Sequence, residues 1–359
     1  MEDIPARRLL AQRIAAPSEG SVTDLVSHLG AMQAQDYRSA LWAIGLRIGG
    51  STEATVEQAI ADRQIVRTWP MRGTLHFVAA ADAHWMLELL TPRVIAAAAK
   101  RAEQHGLDEP TFRRCRRICI DALTGGTALT RGDLFAKLEA AGVSTESQRG
   151  YHIVWRLAQE RLICFGPHAG KQPTFVLLDE WVGSAPSRPR ADALRELAER
   201  YFTSHGPATL QDFVRWAGLK ITDARAGIQD AELSHATIDS VTYWMSTRAV
   251  QQRKEPSRAA YLLPAFDEYL LGYGDRSAVL DDLHAGKIVP GNNGIFLPTV
   301  VVNGRVVGTW KRQPRGKAVV ISVQPFAKLP KSSEPAIKAA AERYSAFVGK
   351  SVEVRIASA

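Results

Sequence analysis

Apolar and polar positions along the chain repeat one short pattern three times. Asp24-Leu25-Val26 is followed by Leu29 and Gly30, Asp133-Leu134-Phe135 by Leu138 and then Gly142, and Asp212-Phe213-Val214 by Ala217 and Gly218. Apolar residues at i, i+1 and i+4 make one buried stripe on a helix, and the Gly stops it. A Thr precedes each copy (Thr23, Thr130, Thr209). The second and third lie three residues ahead of the Asp, the capping-box spacing with Asp in place of Glu. Separations of 109 and 79 residues predict three domains of one kind and not a solenoid.

The flanks extend the pattern. Around the second copy, helices are predicted over Thr111–Leu123, Thr130–Ala141 and Ser147–Arg161, the last with Tyr151, Val154, Leu157 and Ala158 as its apolar face. Strand candidates Leu162–Phe165 and Thr174–Leu178 follow, joined by residues 166–172. Helix–helix–helix–hairpin is the order of a winged helix-turn-helix. The third copy repeats it with Ala191–Ser204, Leu210–Ala217, Thr222–Glu232, Ala236–Asp239 and Thr242–Met245. The first ends in two short strands, Ile65–Trp69 and Gly73–Phe77.

Beyond about residue 259 the signals turn to β. Asn303-Gly304 between Val300–Val302 and Arg305–Val307 predicts a tight hairpin. Ala318–Val323 and Ser351–Ile356 read as further strands, with a helix over Pro335–Val348 between them. The expected architecture is α+β: three tandem winged helix-turn-helix units over 1–100, 101–185 and 186–250, then a small β-barrel-like domain over 259–359. The boundary before that last domain is placed in the polar stretch Gln251–Arg258.

Composition narrows the class. At 359 residues with 46% apolar side chains, the chain has enough material for several cores and no low-complexity tract. No window approaches ~18 uninterrupted apolar residues, so no membrane span is expected. Met1-Glu2-Asp3 lacks the basic and apolar regions of a signal peptide. Three cysteines (Cys115, Cys119, Cys164) form no CxxC, which points to a reducing cytoplasm. Cys115 and Cys119, four apart on a predicted helix, read as a small apolar pair facing the core.

The net charge of +8 is unevenly placed. Residues 1–180 carry 21 basic and 20 acidic side chains, whereas residues 305–359 carry 11 and 3. A basic region on an otherwise neutral chain suggests a polyanion, nucleic acid first, or equally a solvated lysine-rich face. The densest basic runs are Arg113-Arg114-x-Arg116-Arg117 and Lys311-Arg312-x-x-Arg315-x-Lys317. Four arginines within five positions cannot share one helical face, so at least one of the first run points away from any duplex.

No HExxH, phosphate-binding loop or nucleophile elbow is present, so no metal or nucleotide cofactor is expected. Two stretches stand out instead. Gln33 and Gln35 share a face only if their segment is extended or a helix end, a break that Gly30 allows; Gln is mostly a surface residue, and the residues alone favour two solvated amides. Arg67-Thr68-Trp69-Pro70-Met71-Arg72-Gly73-Thr74-Leu75-His76-Phe77 sets Arg67, Trp69, Arg72 and His76 on one hairpin. That suits phosphate contact with base stacking, or equally a core Trp and His with two surface arginines. Asp267-Glu268 would suit Mg²⁺ in a nuclease, but no third ligand lies near, and a structural role is favoured.

Gln33-Ala34-Gln35, the 67–77 segment, Leu263-Pro264-Ala265-Phe266-Asp267-Glu268-Tyr269 and Leu297-Pro298-Thr299-Val300 through Gly308-Thr309-Trp310, in this order over nearly the whole chain, resemble the winged-helix DNA glycosylase family of azinomycin resistance and interstrand-crosslink unhooking. The resemblance implies three tandem winged helices with a concave basic surface and a C-terminal β domain. It implies excision of N7-alkylguanine from double-stranded DNA, crosslinks included, by a monomer with no cofactor. The family's polar pair that acts on the attacking water falls on Gln33 and Gln35. Another branch has Asp at the second position, so Gln35 sets this chain nearer the azinomycin-type branch. For DNA contact the expected residues are Arg67, Trp69, Arg72 and His76, with Asn303 and Arg305 on a groove-probing Val300–Val307 hairpin and Lys311 and Arg312 beyond it. The rival readings are a non-catalytic winged-helix regulator and, third, a metal-dependent nuclease.

Overall fold

A computed structural model describes residues 3–247 and 259–358, so the expected boundary stretch Gln251–Arg258 lies outside the described residues. The chain forms two compact units, one of residues 1–57 with 194–359, the other of residues 58–193.

In the first unit the repeat helices form where their caps are. Helix Val22–Leu29 begins in a complete capping box: the Ser21 hydroxyl accepts from the Asp24 amide and Asp24 accepts from the Ser21 amide. The cap is thus Ser21, three residues ahead of Asp24, and not Thr23. Thr209 and Asp212 build the same box at the start of helix Leu210–Ala217. Gly30 (φ 76°) and Gly218 (φ 70°) end the two helices in backbone conformations that side chains with a Cβ resist. At Gly30 a second reason applies, because an added Cβ would lie 3.4 Å from the Trp216 ring. Strands Leu233–Ile238 and Val241–Ser246 pair antiparallel after helix Ile221–Gln229.

The C-terminal region of this unit is a five-stranded sheet. Its strands run in the order Ser351–Ile356, Ala318–Pro325, Arg305–Arg315, Thr299–Val302 and Ala260–Leu263. The order runs from edge to edge, so it is at most a half-barrel. Its edge pair 318–325 and 351–356 is parallel, which requires a crossover, and helix Ser333–Val348 supplies it. Two indoles fasten helix and sheet to one strand: Trp42 of helix Tyr37–Gly45 donates to Leu262 O at 2.7 Å, and Trp310 donates to Leu263 O at 2.8 Å. The expected hairpin at Asn303-Gly304 is present, with φ of 50° and 78° at its two turn residues.

The second unit carries an antiparallel series of strands in the order Thr74–Ala79, Ile65–Met71, Ile163–Ala169, Gln172–Leu177 and Leu129–Thr130. The 163–177 hairpin closes at Gly170-Lys171, so its loop is much shorter than the seven residues expected. Helices Glu109–Leu123, Arg131–Ala140 and Arg149–Gln159 pack beside it, the second capped by Thr130. Their core holds Phe112, Cys115, Cys119, Leu134, Leu138, Ile153, Val154, Leu157 and Ala158. Tyr151 is 43% exposed and lies off that stripe; Ile153 takes its place. All three cysteines are free and buried, and burial pushes the Cys115 and Cys119 thiols up to about 11 and about 12. The sequence pattern did not reveal the long helix Ala83–Gln104, which runs through Pro92. Among the described residues no helix is long and apolar enough to cross a membrane.

Candidate functional site

The chain leaves helix Val22–Leu29 at Gly30 and runs extended through Met32 and Gln33. Burial then alternates: Met32 and Ala34 are buried at 1% and 0%, Gln33 is half-buried and Gln35 is exposed. The strand covers Met32 and Gln33 and a bend follows at Gln35, so the two glutamines are the more accessible positions on either side of buried Ala34. The next residue, Asp36, caps helix Tyr37–Gly45 by accepting from the Ser39 amide at 2.9 Å. The segment that carries the pair is held between a glycine stop and a helix cap.

Beneath it lies a buried polar network. The Gln33 amide donates to Glu268 Oε1 at 3.2 Å, and Trp216 Nε1 donates to Glu268 Oε2 at 2.9 Å. His205 Nε2 lies 3.4 Å from the same Oε2. His205 is fully buried, Glu268 is 2% exposed, and Tyr201 stacks on the His205 ring at 4.7 Å and 13°. Gly272 leaves room for that ring, since a Cβ there would sit 2.5 Å from His205 Cδ2.

The neighbouring carboxylate has other work. Asp267 receives two hydrogen bonds from Arg47, at 2.8 and 2.9 Å. Arg47, fully buried, also donates to Ala43 O from Nη1, to Gln12 Oε1 from Nη2 and to Gln12 O from Nε. All five guanidinium donors are thereby satisfied. Asp267 is committed to this pair, which is the structural role favoured for it. Among the described residues no group of three or more His, Cys, Asp or Glu is arranged to hold a metal ion.

Glu268, His205 and Trp216 were missed as site residues. Asp267-Glu268 stood out in sequence only as a carboxylate pair, and Trp216 is the sole aromatic at its place in the three repeat copies.

The expected DNA-contacting residues divide between the units. In the first unit Arg312 reaches the Tyr344 hydroxyl at 2.9 Å and lies 3.8 Å from Asp36, beside Gln35. Asn303, Arg305 and Lys311 are exposed. The Val300–Val307 hairpin exposes Asn303 and Arg305, with Gly304 buried between them. Its turn is packed into the unit, because Gly304 is buried, a Cβ there would lie 2.6 Å from Pro5, and Tyr269 donates to Gly304 O. The exposed turn is the next one along: residues 313–317, with Arg315 and Lys317, are all exposed.

In the second unit Arg67 is half-buried, its guanidinium 4.9 Å from the Phe165 ring centroid. Arg72 occupies the hairpin turn with Gly73 (φ 54° and 71°), its Nη2 3.3 Å from His76 Nε2. His76 is buried, with Nδ1 2.9 Å from Thr74 O. The expectation for Trp69 is corrected. At 3% exposure it sits in the hydrophobic core against Phe165, 5.1 Å between ring centroids, and offers no face to a base. Of the four clustered arginines, Arg114 bonds Ala141 O and Arg116 pairs with Glu160, while Arg113 and Arg117 are exposed.

The chain is similar to known proteins over most of its length. An interstrand DNA cross-link repair glycosylase of Streptomyces sahachiroi is 28% identical over 327 residues, spanning 85% of this chain and 86% of that protein. The solved structure of Streptomyces sahachiroi DNA glycosylase AlkZ is similar with a TM-score of 0.83 at 25% identity, covering 99% of this chain and 98% of that one. Residues 26–347 match the family described as DNA glycosylase AlkZ-like. With that match extending over most of its length, the chain belongs to the AlkZ-like DNA glycosylase family.

Proposed function

We propose that this chain hydrolyses the N-glycosidic bond of N7-alkylguanine in double-stranded DNA, interstrand crosslinks among the lesions, as a cytoplasmic monomer that leaves the strand uncut. The observation that carries the reading is the anchored segment in which Gln33 and Gln35 stay accessible while Met32 and Ala34 are buried. We read the three helix–hairpin segments as tandem winged helices over 1–100, 101–185 and 186–250, followed by the β domain over 259–359. Arg67, Arg72, Asn303, Arg305, Lys311 and Arg312 are the proposed DNA contacts, and Arg315 and Lys317 on the exposed turn join them; His76, fully buried, is not among them.

The chemistry suits neutral amides. N7 alkylation places a positive charge on guanine, so the base leaves without a strong general acid. What remains is to hold a water below C1′ while the sugar takes on oxocarbenium character. A glutamine carbonyl accepts a hydrogen bond from that water and directs its negative dipole end at the developing charge. It does not remove a proton effectively, which confines such a site to bases already activated for departure.

The test is incubation of the purified chain with a duplex containing N7-methylguanine, in EDTA. Free 7-methylguanine and alkali-labile abasic sites are expected. Tight binding without base release would favour the DNA-binding regulator, and strand cleavage that needs Mg²⁺ would favour the nuclease. For the basic face, the double variant Arg305→Ala, Lys311→Ala is expected to weaken binding of any duplex sequence. It should lower the slope of log Kd against log salt by about 2, one per lost phosphate contact. An unchanged slope would remove these residues from the interface.

A further inference from the structure

We propose that Glu268 is a positioning residue for Gln33 and Gln35, a buried carboxylate that holds their segment by its main chain. The inference rests on the glycosylase reading of that segment. Gln33 donates its amide to Oε1 at 3.2 Å, and the carboxylate is 2% exposed. A hydrogen bond to a charged acceptor away from water is stronger than a neutral one and directional. With Met32 and Ala34 buried, this bond fixes the rotation of the segment about its own axis. That rotation decides whether both glutamines stay accessible.

Glu268 is itself held in place. Trp216 donates to Oε2 at 2.9 Å, from the helix whose indole also closes against Gly30. Ser204 Oγ lies 2.7 Å from Arg200 O and 2.8 Å from His205 Nδ1, which holds the ring in place. His205 Nε2 lies 3.4 Å from Glu268 Oε2. The carboxylate is thus oriented from one side by residues far away in sequence and presents its other oxygen to the glutamine segment. No contact with DNA is required of it.

The informative variant is Glu268→Gln, which preserves size but sets an amide N–H against either the Gln33 or the Trp216 donor. Expected are a fall of ~10-fold or more in single-turnover release of 7-methylguanine and a DNA Kd within about twofold of the parent, since a small misplacement of reacting groups costs rate before binding. Hydrogen exchange in the peptide covering residues 31–36 should quicken. In a Gln33→Ala, Gln35→Ala background the same substitution should cost no further rate, because the groups it positions are gone. Parental exchange and rate in Glu268→Gln overturn the proposal, and so does an equal further loss in the double-alanine background. If Glu268→Gln does not fold, Trp216→Phe takes its place, with faster 31–36 exchange expected and unchanged exchange overturning the proposal. Absence of base release by the parent chain would instead defeat the glycosylase reading, while exchange of the 31–36 peptide would still judge the clamp.

Discussion

Gln35→Ala is expected to lower single-turnover release of 7-methylguanine by ~10²-fold or more, the scale of losing a group that orients the attacking water. Gln35 is exposed, and its neighbours Ala34 and Asp36 are anchored by burial and by a helix cap. Truncating it opens no cavity, so folding stability should stay within about 0.5 kcal/mol of the parent. DNA affinity should also hold, because phosphate contacts carry most of it. The pattern to look for is therefore a collapse in rate with little change in stability or Kd. A variant that releases base at the parental rate would take Gln35 out of the mechanism and leave the proposed chemistry without its main agent.

Asp267→Ala should produce the opposite pattern, a large loss of stability. It strips both carboxylate hydrogen bonds from a fully buried guanidinium whose remaining partners are neutral oxygens. Breaking a buried pair by removing one partner costs about 3–5 kcal/mol, most of it from the charge left behind. Equilibrium urea unfolding measures this directly, and a loss below about 1 kcal/mol would contradict the assignment. Replacing both partners with apolar residues of similar volume, Arg47→Met with Asp267→Leu, should recover much of the loss, because an apolar pair has no desolvation cost.

Local features were the legible ones. The Thr130 and Thr209 caps, helix Leu210–Ala217 and the Asn303-Gly304 turn follow from neighbours a few residues away, and the structure has them where expected. The first copy has no Thr at the capping spacing, and Ser21, three residues ahead of Asp24, fills that place. Period-two reasoning lets Gln33 and Gln35 share a face only if their segment is extended or a helix end, and it says nothing about what lies beneath that segment. That is why Glu268, which touches the segment only through its backbone, left no mark in the pattern around it. Trp69 shows the same limit: an indole on a hairpin is equally suited to stacking and to a core. Only the helices packed over it decide in favour of the core.

The hydrogen bond between Gln33 and Glu268 joins residues 235 positions apart. At a synthesis rate of roughly 5–20 residues per second, the ribosome needs about 12–47 s to travel from one to the other. During that interval a nascent chain carries both glutamines with nothing beneath them. The clamp closes only once the late segment has left the ribosome, so a chain stalled or cut before residue 268 contains the motif and lacks its support.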